Sequence, residues 1–294
     1  MAANIPLKEV SSDASLEKAD KVIIYADAGL GKSFSVATSL IDAPEDRRII
    51  YLMTERNAAI GFENGLKHYN IKPKEGQIIY VFPKQKKKAF TNLSRSLKAF
   101  VKESKKDSLK GNADTTQGTE HYTYLQDIIT TLEDFTGTDY VTGEEVKVGN
   151  VAILGSQDIL VVDGLSPIGL EVWNSVVGDK IAISMTDYSQ PQRLMHIILN
   201  ELSILTCPVI LLAHEKPLTD DKGNLIQLRV NTFVGNANYA TLMGLFTDVI
   251  HATKVGPTFR WEVSKPGVYT VSRRITGQSQ VEPNFSKHGF FTGK

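Results

Sequence analysis

The sequence predicts an α/β fold in which a mainly parallel β-sheet is covered by helices on both faces. Short apolar segments with the length of buried strands alternate with longer segments of helical periodicity. The first apolar segment also leads through a glycine-containing turn directly into a helical segment. Both observations are typical of βαβ units, because two parallel strands need a crossover connection.

The composition is that of an ordinary globular chain. Of its 294 residues, 41% are hydrophobic and 22% are charged, and 33 basic residues balance 33 acidic ones. A formal charge of zero excludes a protein that coats nucleic acid by bulk charge, but it allows a local basic face. Residues 1–20 lack the apolar core of a signal peptide, and no apolar run reaches the roughly 20 residues that span a bilayer. With the single Cys207, we expect a cytoplasmic protein without membrane contact.

The first half of the predicted core contains three strands and two helices. The strands cover 21–25, 48–53 and 77–82, and the helices cover 32–41 and 58–69. In the second half, we predict a strand at 158–163, a helix at 192–205, a strand at 208–213 and a long polar loop at 216–238. Three further strands, at 245–252, 259–263 and 269–274, form a predicted C-terminal antiparallel portion.

A Lys-rich insertion separates the two halves, at about 84–150 of a single domain that covers 1–294. Its first part, Lys84–Lys110, has ten Lys or Arg residues and two acidic ones, and is interpreted either as a solvated helix or as a basic arm. A polar loop, an amphipathic helix and a hairpin follow at 111–118, 122–135 and 142–152.

The turn after the first strand has the pattern of a phosphate-binding loop. It reads Ala26-Asp27-Ala28-Gly29-Leu30-Gly31-Lys32-Ser33 and continues into a helix at Phe34. In this strand-to-helix setting, backbone N–H groups of the loop and helix N-terminus bind phosphates. Lys32 then reaches the terminal phosphates, and the Ser33 hydroxyl binds Mg²⁺. Ala26 replaces the first glycine of the pattern, which is a small change at a strand end with negative φ. The sequence therefore predicts binding of ATP with Mg²⁺.

Three polar residues at strand ends complete the predicted site. Asp163 follows four apolar residues and is the candidate Mg²⁺ ligand, or alternatively a turn cap. Because Gly164 follows it, an adjacent catalytic glutamate is excluded. Glu55 at the end of the second strand is the candidate acid that polarises water, or alternatively a surface residue at a helix start. His214 senses the γ-phosphate or is a structural histidine.

In this order, the phosphate-loop lysine, the glutamate, the aspartate and the polar strand end resemble RecA-type ATPases. In finer detail the chain resembles phage-encoded RecA-like ATPases linked to single-strand annealing and recombination. The segments that carry the resemblance are 24–33, Met185-Thr186-Asp187-Tyr188, 211–215 and Ser272-Arg273-Arg274. The resemblance covers roughly 21–82 and 151–277.

The resemblance implies a RecA-like P-loop NTPase core in the host cytoplasm, assembled into a homo-oligomeric ring or filament. ATP then lies between subunits, where a basic residue from the neighbour contacts the γ-phosphate. Arg273 and Arg274 occupy that part of this chain, with Lys265 nearby. Ser272 stands where the family pattern often has lysine, and a solvated basic pair on an edge strand is the alternative.

The resemblance also places DNA-contacting loops at 164–190 and 216–238. The second holds basic, amide and aromatic side chains suited to single strands, namely Lys216, Lys222, Arg229, Asn231 and Phe233. The alternative is that this loop is purely structural. Residues 84–110 are the stronger electrostatic candidate for contact with the phosphate backbone of DNA.

Two functions of different classes follow. The first is an ATP-dependent protein that acts on single-stranded DNA in recombination, annealing or replication. The second is an ATPase that acts on a protein assembly during packaging, loading or virion function. A nucleotide-binding subunit with little turnover is a third possibility.

Overall fold

The computed structural model describes residues 19–55, 57–83, 116–177, 185–233 and 239–291, with the backbone alone at 116–123 and 185–186. The predicted basic segment 84–110 lies outside these residues. So do 178–184 and 234–238, which belong to the two predicted DNA-contacting loops.

Eleven strands of the described residues form the central sheet and its extension. They are β1 (Lys21–Ala26), β2 (Arg48–Met53), β3 (Ile78–Val81), β4 (Phe135–Asp139), β5 (Glu145–Gly149), β6 (Asp158–Asp163), β7 (Val209–Thr219), β8 (Leu225–Val230), β9 (Asp248–Val255), β10 (Thr258–Glu262) and β11 (Gln280–Val281). Their order is β11-β10-β9-β1-β7-β6-β2-β3-β4-β5, and β8 pairs with β7. The six strands from β9 to β3 in this order are parallel. Their parallel portions end at what we call the carboxyl edge, opposite the amino edge, and β7 and β9 continue beyond it.

Helices cover both faces of this sheet. They are α1 (Lys32–Val36), α2 (Ala58–His68), α3 (Thr116–Glu133), α4 (Leu165–Val177), α5 (Ser189–Ser203) and α6 (Tyr239–Met243). Buried side chains of α1 and α2 belong to one hydrophobic cluster, and those of α3 to α6 belong to the other. The predicted α/β class, with a mainly parallel sheet, helices on both faces and an antiparallel C-terminal portion, is confirmed. No helix in the described ranges is long and apolar enough to cross a membrane.

The first helix is shorter than predicted. Instead of one helix over 32–41, α1 is followed by a 3₁₀ turn over Ala37–Leu40. Hydroxyl groups explain the change, since Ser35, Thr38 and Ser39 each donate a hydrogen bond to the carbonyl three residues earlier. Such bonds compete with the regular helical pattern.

Residues 116–149 extend the sheet. β4 pairs antiparallel with β3, and β5 pairs antiparallel with β4. The predicted helix at 122–135 is α3, which begins inside the predicted polar loop, whereas Phe135 is the buried first residue of β4. The hairpin therefore covers 135–149 rather than 142–152.

Both predicted DNA-contacting loops are largely regular structure, so the expected loop conformation is wrong for their described residues, whereas contact with DNA stays a prediction. α4 begins at Leu165, directly after Gly164, where the sequence was expected to form a loop. β7 continues to Thr219 and pairs antiparallel with β8, so 216–230 is mostly a hairpin. Polar residues and Gly223 form the tight turn between β7 and β8. Because such residues are also typical of loops, the composition of this segment predicted a loop.

The C-terminal portion also differs in detail. β9 is parallel to β1 and antiparallel to β10, so it joins the two parts of the sheet. The predicted strand at 269–274 contributes only an isolated bridge between Val271 and Val249. β11 pairs with β10 and was not predicted.

Candidate nucleotide-binding site

The phosphate loop connects β1 to α1 at the carboxyl edge. Gly29 and Gly31 have φ angles of 76° and 81°, in the left-handed region that side chains rarely adopt. At Gly31 a Cβ atom would also lie 3.0 Å from the ring of Phe259, which is on β10. Gly31 is therefore required both by its own backbone and by the close approach of Phe259.

Lys32 folds over the loop that precedes it. Its ammonium donates hydrogen bonds to the carbonyl oxygens of Ala26, at 3.0 Å, and Asp27, at 2.9 Å. Burial lowers the pKa of Lys32, and nearby carboxylates, including Asp163 and Glu55, oppose this shift. The ammonium is thus held at the mouth of the loop among acidic groups.

Ser33 and Asp163 meet between α1 and the end of β6. The Ser33 hydroxyl donates to Asp163 Oδ2 at 2.7 Å, and the Tyr51 hydroxyl donates to the same oxygen at 2.8 Å. Burial raises the pKa of Asp163, whereas the two hydrogen bonds oppose the rise. A hydroxyl and a carboxylate are oxygen ligands of the kind that Mg²⁺ takes alongside phosphates and water. The two side chains therefore fit the predicted metal shell.

Gly164, after Asp163, has a φ angle of 118°, and a Cβ atom there would lie 1.9 Å from Thr54 Oγ1. The Thr54 hydroxyl donates to the carbonyl oxygen of Asp163 at 2.9 Å. Thr54 thus fills the space beside Asp163 and ties the ends of β2 and β6 together. A glutamate directly after Asp163 is excluded on steric grounds as well as by sequence.

Glu55 and His214 form the acid–imidazole pair of the site. Glu55 Oε1 lies 3.0 Å from His214 Nε2, and both side chains are about one-third exposed, at 31% and 33%. The hydrogen bond from His214 lowers the pKa of Glu55, although partial burial opposes the shift. The Ser166 hydroxyl accepts from the backbone N–H of His214 at 2.8 Å and so supports this end of β7.

Phe34 belongs to an aromatic group beside the loop. Its ring centroid lies 5.5 Å from that of Phe259, 5.3 Å from His68 and 5.6 Å from Tyr69. Lys254 lies 5.5 Å from the centroid of Phe259, on the other strand of the same hairpin. The rest of the loop, Asp27, Ala28 and Gly29, is exposed, and Leu30 is half-buried.

The predicted trans-acting residues lie elsewhere. Arg274 pairs with Asp20 at 2.8 Å, and the backbone N–H of Arg273 donates to Asp248. Asp20 and Asp248 precede or begin strands at the amino edge, so neither arginine lies near the phosphate loop of its own chain. Lys265 pairs with Glu262 at 2.7 Å. Contact of any of them with a neighbouring subunit stays a prediction.

Sequence reasoning missed several residues of this site. Tyr51 and Phe259 appeared only as parts of strands, and Thr54 only as the residue before Glu55. A hydroxyl at the end of the second strand, one residue before the candidate acid, was the one signal available for Thr54. Glu215 and His251, which contact each other at 2.8 Å, were not connected by any sequence spacing.

Comparisons with known proteins add little to this geometry. No protein-family model and no curated protein matches the sequence. Among solved structures, the flagellar accessory protein FlaH from Methanocaldococcus jannaschii matches at 12% identity over 89% of this chain and 83% of that one, with a TM-score of 0.31. The ATPase EscN from the type III secretion system of enteropathogenic E. coli matches at 12% identity over 80% of this chain, with a TM-score of 0.36.

A prototypical type III secretion ATPase of pathogenic bacteria matches at 10% identity over 80% of this chain, with a TM-score of 0.32. The aligned region spans 43% of EscN and 51% of this second ATPase. Scores this low carry no information on activity, substrate or partner.

Proposed function

We propose that the chain is a RecA-like ATPase, which binds ATP with Mg²⁺ and hydrolyses it. One observation supports this most directly: the phosphate loop, the Ser33–Asp163 pair and the Glu55–His214 pair converge at the carboxyl edge of one sheet. Ligands of open α/β sheets bind at this edge. The three groups together supply phosphate binding, metal ligands and a base.

Each group has a distinct role in the proposed reaction. Backbone N–H groups of the loop and the Lys32 ammonium bind the phosphates. Ser33 and Asp163 hold Mg²⁺, which neutralises charge on the phosphate oxygens. Glu55 accepts a proton from the attacking water while the bond between the γ-phosphorus and the leaving ADP oxygen breaks. His214 orients the Glu55 carboxylate.

The test is ATP turnover by the purified full chain in the presence of Mg²⁺. We expect hydrolysis that is lost on chelation of Mg²⁺ and in Lys32→Ala. Lys67→Ala is the matched control, because Lys67 is an exposed lysine of α2. Turnover in Lys32→Ala equal to that of the unsubstituted chain would refute the assignment of the loop.

For the target of this ATPase we propose single-stranded DNA, as in recombination or annealing. The supporting observation is that β7 runs without interruption from His214 at the site into the β7–β8 hairpin, which carries Lys216, Lys222 and Arg229. The strand that carries His214 therefore also carries the hairpin on which these basic side chains lie. Assembly as a homo-oligomer with ATP between subunits, and a phage origin, belong to the same proposal and rest on the resemblance stated above.

The same hairpin favours a protein partner in one respect. Leu225 and Ile226 of β8 are 57% and 54% exposed, and Asp220 and Asp221 lie at the turn. Exposed apolar side chains are more typical of protein interfaces than of phosphate-backbone contacts. An ATPase acting on a protein assembly is therefore the second candidate.

Stimulation of ATP turnover by single-stranded DNA separates the two candidates. For DNA binding, we expect stimulation that falls steeply as the salt concentration rises and that is weakened by Lys222→Ala. Unchanged turnover at every DNA concentration, with no DNA binding in the presence of a non-hydrolysable ATP analogue, would favour the protein partner.

A further inference from the structure

A further acidic residue, Glu215, acts electrostatically on Lys32 of the phosphate loop. Glu215 follows His214 on β7, and its side chain points to the opposite face of the sheet, as successive strand residues do. Its negative charge is among those that oppose the lowering of the Lys32 pKa by burial. Glu215 thus interacts electrostatically with Lys32, the proposed phosphate-binding lysine, while its carboxylate contacts a different residue.

That carboxylate is held by His251, across β1. Tyr25 of β1 is paired with Ala213 of β7 on one side and with His251 of β9 on the other. The His251 ring passes beside Tyr25, with a centroid distance of 5.0 Å, and its Nε2 lies 2.8 Å from Glu215 Oε2. The contact therefore spans three strands of the sheet.

The other nitrogen of the same ring contacts a second carboxylate. His251 Nδ1 lies 2.7 Å from Glu262 Oε2 on β10. The second oxygen of Glu262 accepts hydrogen bonds from Lys265, at 2.7 Å, and from Gln280, at 3.0 Å. His251 and Glu262 are 4% and 1% exposed. Burial raises the pKa of Glu262, but the hydrogen bonds that it accepts outweigh this, and its pKa lies below the usual value.

The His251 ring thus lies between two carboxylates, one at each of its nitrogens. A neutral imidazole donates from one nitrogen only, so one of the two carboxylates would face a lone pair. The imidazolium donates to both. With His251 protonated, the two negative charges of Glu215 and Glu262 are balanced by His251 and Lys265, which is the condition under which buried charges are tolerated.

We propose that His251 is a positioning residue: as an imidazolium between Glu215 and Glu262, it fixes β7 at Glu215 and so holds the neighbouring His214 against Glu55. This role in hydrolysis rests on the proposed ATPase function. The contacts among Glu215, His251 and Glu262 also connect the site to Lys265. Lys265 is one of the residues that the family resemblance suggests as a contact to a neighbouring subunit. His251 does not touch the reacting atoms.

The first test needs no nucleotide. In NMR spectra of the ¹⁵N-labelled chain at neutral pH, both ring nitrogens of His251 are expected to carry protons. His251→Gln keeps one donor but loses the charge, and we expect the ring signals of His214 to shift. His288→Gln is the control, because among the described contacts His288 meets only the Glu282 carbonyl and the Trp261 ring. Unchanged His214 signals in His251→Gln would overturn the positioning role.

The second test is kinetic. We expect His251→Gln to lower kcat about tenfold with less than a threefold change in ATP affinity, because the phosphate loop itself is not altered. In a His214→Ala background the same substitution is expected to have little further effect, since both act through one contact. Full additivity of the two effects on kcat would indicate a purely structural His251 and overturn the proposal.

Lys265→Met provides a second variant if His251→Gln folds poorly. The Lys265 side chain is 49% exposed, so its loss removes one donor to Glu262 with little risk to the core. We expect the His214 signals to shift in the same direction as in His251→Gln, but by less. Unchanged His214 signals would count against the positioning role of His251. Absence of ATP turnover in the unsubstituted chain would overturn the proposed function alone, because the NMR outcome does not depend on it.

Discussion

Glu55 and His214 contact each other at 3.0 Å across the end of β6, although Glu55 follows β2 and His214 lies within β7, and these two strands are not neighbours in the sheet. The strand between them ends at Asp163. The proposed base, the proposed sensor and the proposed metal ligand thus lie on or just after three adjacent strands, at the carboxyl edge.

Glu55→Gln should abolish turnover without abolishing nucleotide binding. The amide keeps the size of the side chain but cannot accept a proton, so we expect kcat to fall about 100-fold or more. Binding of a fluorescent ATP analogue checks that the loop is intact. Glu45→Gln is the control, since Glu45 is fully exposed and pairs only with Lys74 among the described residues. A Glu55→Gln chain with normal kcat would exclude Glu55 as the base.

His214→Ala should change the pH dependence of turnover. The His214 hydrogen bond lowers the pKa of Glu55, and Glu55 must be ionised to accept a proton. Without His214 the pKa of Glu55 rises, so the acidic limb of the kcat profile moves to higher pH. We also expect kcat at neutral pH to fall about tenfold through lost orientation. His196→Ala, an exposed histidine of α5, serves as control. An acidic limb at the same pH would contradict the assignment.

Gly31→Ala should weaken nucleotide binding more than Gly29→Ala does. Both positions have positive φ, which costs a non-glycine residue about 1–2 kcal/mol. Only at Gly31 does the new methyl group also meet the Phe259 ring, at 3.0 Å, whereas nothing lies within 4 Å of a Cβ at Gly29. Titration with Mg²⁺ and ATP measures both affinities. Equal losses of affinity in the two variants would mean that the Phe259 ring moves aside without an energetic penalty.

Arg274→Ala should destabilise the fold, whereas Arg273→Ala should not. Arg274 pairs with Asp20, whose side chain is 5% exposed, so its loss leaves a buried carboxylate without its cation. We expect a decrease of about 1–3 kcal/mol in the free energy of unfolding. Arg273 is exposed, and its recorded bond to Asp248 comes from the backbone, which alanine retains. Denaturant titration measures both.

The same arginines allow a test of action between subunits. Lys32→Ala chains mixed with Arg273→Ala chains should regain turnover if Arg273 completes a neighbour's site, because some interfaces then contain an intact loop and an intact arginine. Turnover of Arg273→Ala alone at the level of the unsubstituted chain would exclude this role.

The ends of the parallel strands were predictable because buried apolar runs stop where a polar residue must face the ligand edge. Asp163, Glu55 and His214 were found in this way. The surrounding contacts were not predictable, because strand order, which local pattern does not determine, brings Tyr51 to Asp163 and His251 to Glu215. Tyr51 reads as one more apolar strand residue, and His251 as an isolated polar residue in a buried strand.

The β7–β8 hairpin shows a different limit. Lys216, Asp220, Asp221 and Gly223 have low strand propensity, and this composition predicted a loop. The strand persists because the Tyr25 hydroxyl donates a hydrogen bond to the carbonyl oxygen of Leu228, 203 residues away in sequence, and the Tyr239 hydroxyl accepts one from the backbone N–H of Val230. Tertiary contacts override propensity here, as they do where β4 replaces the end of a predicted helix.

β7 continues beyond His214 for about 17 Å, at the usual rise of a strand, and β8 pairs with it along this length. β8 is held in turn by backbone hydrogen bonds between Leu228 and residues Gly267 and Tyr269, and by the Tyr25 hydroxyl. The strand that carries His214 is therefore tied to residues 267–269, so a displacement at the site would be shared with the C-terminal part of the chain.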